Sequence, residues 1–78
     1  MIIHKTLTAT IWREGDGYVS FCPELDIASQ GESIQEARSN LREAVELFFD
    51  VADSSEVDSR LNPEVYVTSL EVEFETAA

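Results

Sequence analysis

The run from Ser33 to Ala52 constrains this chain more than any other part of it. Ser33-Ile34-Gln35-Glu36 has the form of a capping box, in which the Ser33 hydroxyl accepts from the Glu36 N–H and the Glu36 carboxylate reaches back to the N–H of Ser33. A helix is therefore expected to begin at Ile34. Ile34, Ala37, Leu41, Ala44, Val45, Phe48 and Ala52 then recur at spacings of three and four, which at about 100° per residue places them on one face. A single amphipathic helix cannot bury such a face by itself. In a chain of 78 residues, long enough for one core and not two, the covering layer has to come from the rest of the same sequence.

That layer reads as strands. From Thr6 to Arg13, Leu7, Ala9 and Ile11 alternate with Thr8, Thr10 and Trp12, the period of a half-buried strand. Glu14-Gly15-Asp16-Gly17 supplies residues that accept a tight hairpin turn, and Tyr18-Val19-Ser20-Phe21-Cys22 resumes strand character. Pro23 lacks an N–H, Glu24-Leu25-Asp26 turns the chain, and Ile27-Ala28-Ser29 offers a short third strand ending near Gly31. Ser54 to Pro63 is polar and aperiodic, a loop with room for a short helical turn around Val57 to Leu61. Val65 and Val67 share one parity and Leu70, Val72 and Phe74 the other, so a final strand bulged near Thr68-Ser69 is expected to close the sheet.

The expected order is thus β-β-β-α-β, a single α+β domain over residues 1–78: an antiparallel-rich sheet with one amphipathic helix on one face. With Leu7, Ile11, Val19, Phe21, Val72 and Phe74 toward the helix, the uncovered face would carry Thr8, Thr10, Trp12, Tyr18, Ser20, Cys22, Glu71 and Glu73. An uncovered face with Trp12 and Tyr18 on it, and a sheet with open edges, both point to self-association as a dimer or tetramer.

Chemistry is sparse. Cys22 and His4 are the only residues of their kinds, which leaves no internal disulfide and no common zinc spacing. With no cysteine framework, no signal pattern and no apolar run of membrane-spanning length, the expected compartment is the cytoplasm. No serine has a Ser-His-Asp partner set, and nothing basic adjoins Cys22 to hold a thiolate. Gly15-Asp16-Gly17 is followed by neither a helix nor a lysine, so it reads as a turn and not a phosphate loop. Glu24 and Asp26 are two apart in a turn and could share a cation, but solvated loop charges are the simpler reading. The expectation is a protein with no enzymatic activity, cofactor or bound metal.

The charge is informative. Sixteen acidic residues against Lys5, Arg13, Arg38, Arg42 and Arg60 leave a net charge of −11, which disfavours direct contact with nucleic acid; it suits a basic partner, although charge alone is explained more simply as keeping the protein soluble. On the helix, Glu36, Glu43, Glu46, Asp50 and Asp53 form a stripe roughly opposite the apolar face, with Asp50 and Asp53 placed against the macrodipole. Glu43, Glu46 and Asp50, with Trp12 and Tyr18, are the candidate partner-binding residues.

Leu7 to Ser33, with its Glu14-Gly15-Asp16-Gly17-Tyr18 and Pro23-Glu24-Leu25 segments, followed by Ile34-Gln35-Glu36-Ala37 and Asn40-Leu41-Arg42-Glu43-Ala44-Val45-Glu46-Leu47, resembles the amino-terminal domain of HicB-family antitoxins over about two-thirds of the chain. The resemblance implies a truncated ribonuclease-H-like fold of the same β-β-β-α-β order. It also implies a partner, a small basic HicA-type ribonuclease toxin that the domain neutralises by occluding its active surface. The alternative it leaves is a free-standing oligomeric HicB-like protein with an unknown ligand and no toxin. Members of that family usually carry a carboxy-terminal helix-turn-helix or ribbon-helix-helix. This chain ends soon after Phe74, so operator binding is not expected. A nuclease of the ribonuclease-H kind would also need a carboxylate on its first strand, and Thr6 to Arg13 has none; Glu24, Asp26 and Glu71 are a poor substitute.

Overall fold

The computed structural model describes residues 2–77. Three antiparallel strands, β1 (Thr10–Glu14), β2 (Gly17–Cys22) and β3 (Ile27–Gly31), form a meander in the order β1-β2-β3, followed by helices α1 (Ile34–Val51) and α2 (Ser54–Arg60). The α+β class and the first four elements agree with the sequence expectation. No helix among the described residues is long and apolar enough to cross a membrane.

The β1–β2 hairpin closes on the pair Glu14 and Gly17, leaving Gly15 and Asp16 as a two-residue turn. Gly15 has φ of 61° and Asp16 stays out of the positive region, the type II′ pattern that matches the twist of the flanking strands. Such a turn pairs each odd position with an even one: Ile11 with Ser20, Trp12 with Val19, Arg13 with Tyr18. Since directly paired residues share a face, the two faces are not those expected. Ser20 and Cys22 point at the helix and are buried, whereas Val19 and Phe21 lie on the open face with Thr10 and Trp12. Small side chains on β2 let α1 lie close to the sheet, and the Ser20 hydroxyl donates to the Ala37 carbonyl at 2.7 Å.

β1 is shorter at its start than the expected strand from Thr6. Residues 6–9 would have to ladder with residues 22–25, but there Pro23 has no N–H to offer and the chain turns away toward Ile27, with Asp26 at φ of 56°. The Thr8 N–H bonds instead to the Glu24 carboxylate, at 3.0 Å.

The Ser33 cap forms as expected, its hydroxyl accepting from the Glu36 N–H at 3.0 Å, but the Glu36 carboxylate accepts from the N–H of Glu32 and not of Ser33. α1 buries Ala37 and Leu41 and half-buries Val45, Phe48 and Phe49. It ends at Val51, so Ala52 is its cap and not part of its apolar face. Ile34, expected on that face, is 51% exposed in the first turn.

The stretch expected to be a loop contains α2. Asp53 caps it, accepting from the Glu56 N–H at 2.9 Å and from the Ser55 hydroxyl at 2.8 Å, and these bonds hold its carboxyl below the ordinary carboxylate range. Asp53 is thus not a misplaced charge at the end of α1; it stabilises the start of α2. At the other end Arg60 donates to the Leu25 carbonyl at 2.7 Å and lies 5.3 Å from the Phe48 ring centroid, while the Asn62 N–H donates to the Glu24 carbonyl. The tail of α2 thereby clasps the β2–β3 turn against the core. Cys22, Leu25 and Leu41 form the buried centre of that core.

The expected fourth strand is not formed within the chain. Residues 61–77 carry neither helix nor strand, and Tyr66, Leu70 and Phe74 are 80%, 85% and 78% exposed. A strand needs a ladder partner, and the alternating pattern of this stretch cannot create one by itself.

Candidate functional site

The five candidate residues fall on three separate parts of the surface. Trp12, 45% exposed, stands on the open face of the sheet among Thr10, Val19, Phe21, Ala28 and Gln30. Tyr18 is on the other side, half-buried beside Gly31, at the rim of a cleft shared with Glu36 and Asn40. Its expected place beside Trp12 is corrected by the two-residue turn described above. Glu43, Glu46 and Asp50 are all exposed on α1, about 140–180° around the helix from Leu41, and so face away from the sheet. Trp12 and the acidic stripe therefore lie on opposite sides of the domain and cannot touch one small partner surface together.

Glu46 differs from its neighbours. Its carboxylate is 3.5 Å from Arg42 one turn earlier, an exposed pair worth little stability that still partly neutralises it. Among the described residues neither Glu43 nor Asp50 forms an ion pair, and between them on the same flank comes Leu47, with Val51 just beyond, 61% and 74% exposed. This i,i+4 apolar pair is masked in the sequence by the longer apolar run of Ala37, Leu41, Val45 and Phe48. Its spacing is nevertheless a signal: two large apolar residues four apart inside an acidic stripe. The outer face of α1 is thus apolar and acidic together.

The most enclosed carboxylate among the described residues lies elsewhere. Glu24, 7% exposed, accepts from the Thr8 N–H at 3.0 Å and the Thr8 hydroxyl at 2.6 Å, with the Cys22 thiol at 3.5 Å. Burial pushes its carboxyl up, but the Thr8 hydroxyl and amide outweigh burial and leave it below its ordinary value. Burial first and the Glu24 contact second push the Cys22 thiol up, so the thiolate form is disfavoured. Asp26 is exposed in the turn and Glu71 on the carboxy-terminal stretch, and among the described residues no three His, Cys, Asp or Glu side chains are grouped to hold a metal ion. Glu24 fastens the amino-terminal segment to the β2–β3 turn.

That fastening has a pH dependence. A carboxyl whose folded pKa is depressed adds stability above its unfolded value, near 4.5, and the contribution is lost as pH falls through the folded value. Glu24→Gln keeps the shape but puts an NH2 where one donor bond was accepted, so it is expected to cost about 1–3 kcal/mol at pH 7. Thermal melts from pH 7 to pH 3 should show the gap between the two proteins closing below about pH 4. A gap independent of pH would mean that the Glu24 charge does not hold Thr8.

Comparison with known proteins adds one relative. Over 69 residues the chain is 30% identical to a UPF0150 protein of Helicobacter pylori strain J99, a match spanning 87% of this chain and 96% of that protein. The chain belongs to the UPF0150 family. No family model matches it, and no solved structure does. The match covers nearly all of that relative.

Proposed function

We propose that the protein is a non-catalytic binding module of the HicB antitoxin kind, which neutralises a small basic HicA-type ribonuclease by covering its active surface. The observation that carries this reading is the outer face of α1. Glu43 and Asp50, with Leu47 and Val51 beside them, combine negative charge with exposed apolar area, as a basic protein partner requires. The net charge of −11 supports it by steering a cationic partner inward and repelling nucleic acid. The truncated ribonuclease-H-like topology belongs to the same reading. So does a location in the cytoplasm, where such a toxin would act.

The test is ribonuclease activity of a purified HicA-type toxin from the same genome on a structured RNA, titrated with this protein. Inhibition at one-to-one stoichiometry is expected, weakened tenfold or more by Glu43→Lys with Asp50→Lys, which corresponds to at least about 1.4 kcal/mol. Undiminished RNA cleavage at saturating protein would contradict the reading. It would favour the alternative, a self-assembling UPF0150 protein with another ligand, for which the exposed apolar residues beyond α2 speak.

A further inference from the structure

The stretch after α2 is written as a strand and has no strand to join. Tyr66, Leu70, Val72 and Phe74 occupy even positions and Glu71, Glu73 and Glu75 odd ones, the pattern of a strand with one buried side. From Glu64 onward its hydrogen bonds among the described residues are all local: Glu64 N–H to Asn62 Oδ1, the Tyr66 hydroxyl to Glu64, the Thr68 hydroxyl to the Ser69 carbonyl. The stretch also leaves the body of the domain. The radius of gyration is 15.8 Å, where a compact chain of this length has about 11–12 Å, and the longest extent is 58 Å. At roughly 3.3 Å per residue, residues 64–76 can span about 40 Å.

The sheet has the converse deficit. β1 pairs with β2 alone, so its other edge is open, and the segment before it, residues 3–9, is unladdered as well. Between the segment that precedes β1 and the flank of α1 runs a groove of about 450 Å³. Cys22 and Leu41 belong to its lining, with residues 3–9 along one side and Val45 and Phe49 of α1 along the other. Its charge is unlike that of the rest of the molecule. His4, Lys5, Arg38 and Arg42 all line it, against the single carboxylate of Glu46, which pairs with Arg42, so three of the five Lys and Arg side chains of a chain with net charge −11 are gathered around this groove. The stretch from residue 64 to 77 has four glutamates and no cation.

We infer that the carboxy-terminal arm of one copy adds to the open β1 edge of a second copy, with Leu70, Val72 and Phe74 turned into its groove, and that the exchange is reciprocal. One operation supplies both deficits. Every copy has an unladdered apolar arm and an unladdered edge beside an apolar groove, and a two-fold dimer satisfies both in both chains at once. Charge selects the surface: an acidic arm is drawn to the cationic groove that leads onto β1 and repelled by the acidic outer face of α1. That outer face remains free in the dimer, so the exchange does not depend on the ribonuclease reading.

Light scattering on the full chain at micromolar concentration is expected to give twice the 8.7 kDa protomer mass. Leu70→Asp with Phe74→Asp, at exposed positions where the domain's own fold is not engaged, should yield a monomer that keeps its helical circular dichroism. Arg38→Glu with Arg42→Glu should weaken the dimer at least tenfold. The place and the partner are read by photocrosslinking from p-benzoylphenylalanine at Tyr66 in a mixture of 15N-labelled and unlabelled chains. Crosslinks between isotopically different chains, to residues 3–14 or to the Arg38–Phe49 flank of α1, are the expected result. A monomeric full chain, a dimer indifferent to the Leu70 and Phe74 changes, or crosslinks confined to single chains would overturn the exchange; the last would mean that the arm folds back on its own edge.

Discussion

Leu25→Ala is expected to lower the melting temperature by roughly 10 °C or more, the largest effect of any single core truncation in this domain. Leu25 has no exposed surface and is the largest fully buried side chain, although it belongs to the turn between β2 and β3. It joins Cys22 and Leu41 at the centre of the core, with Phe48, Phe49 and Leu61 packed around them. Removing a buried Leu side chain costs about 2–5 kcal/mol, with the upper part of that range where the site cannot collapse. Collapse is hindered here. The Leu25 carbonyl is held by Arg60, and the neighbouring Glu24 carbonyl by the Asn62 N–H, so the turn is pinned from α2 and cannot follow the missing atoms inward. Against a stability of about 5–15 kcal/mol for a typical small domain, such a loss is a large share. Leu47→Ala, on the exposed flank of α1, is the control and should change stability by less than about 0.5 kcal/mol. Thermal melts followed by circular dichroism decide it; equal shifts for the two variants would show that Leu25 is not central to the core.

Leu25 also shows where sequence reasoning stops. Periodicity finds side chains that repeat on an element, and so Ala37, Leu41, Val45 and Phe48 are legible in the spacing of α1, as is the Ser33 cap in its Ser-x-x-Glu form. A leucine between Glu24 and Asp26 belongs to no period, and its burial follows from α2 closing over the turn. The α2 start does have a local sign, Asp53-x-x-Glu56, but the acidic run around it reads equally as the end of α1. The strand faces depart from expectation for a countable reason. Each strand's alternation is legible, but which parity on β2 matches which on β1 depends on the turn holding two residues, which sequence leaves open between Glu14 and Gly17. That single choice moves Tyr18 away from Trp12 and takes two of the five candidate residues out of one surface. The fourth strand is a different case. Its pattern is plain in residues 64–75, yet within one chain it finds no partner, because strand propensity describes a surface awaiting contact and does not supply one.

Gly31→Ala is expected to destabilise the domain by about 1–3 kcal/mol or more, although glycine-to-alanine changes commonly stabilise. Gly31 ends β3 opposite Tyr18, two residues before the Ser33 cap, where the chain doubles back to lay the first turn of α1 against the sheet. A Cβ there would lie 2.5 Å from the Ala37 nitrogen and 2.8 Å from the Glu36 carbonyl carbon. Both are backbone atoms of a hydrogen-bonded helix, so relief requires the start of α1 to retreat by roughly 1 Å and not a mere rotamer change. Retreat would strain the bond from the Ser20 hydroxyl to the Ala37 carbonyl, now 2.7 Å and buried, and loosen Ala37 itself, which has no exposed surface. Set against this, the gain from a less flexible unfolded chain is only about 0.4–1 kcal/mol. Gly15→Asn separates close approach from backbone conformation. Gly15 has φ of 61° and nothing within 4 Å of where a Cβ would stand, so a side chain there meets only the backbone cost of the first central position of a type II′ turn, and that change should cost less than Gly31→Ala. Urea denaturation of both variants reads the difference. If Gly31→Ala proved the milder of the two, the close seating of α1 on β3 would not be what Gly31 provides.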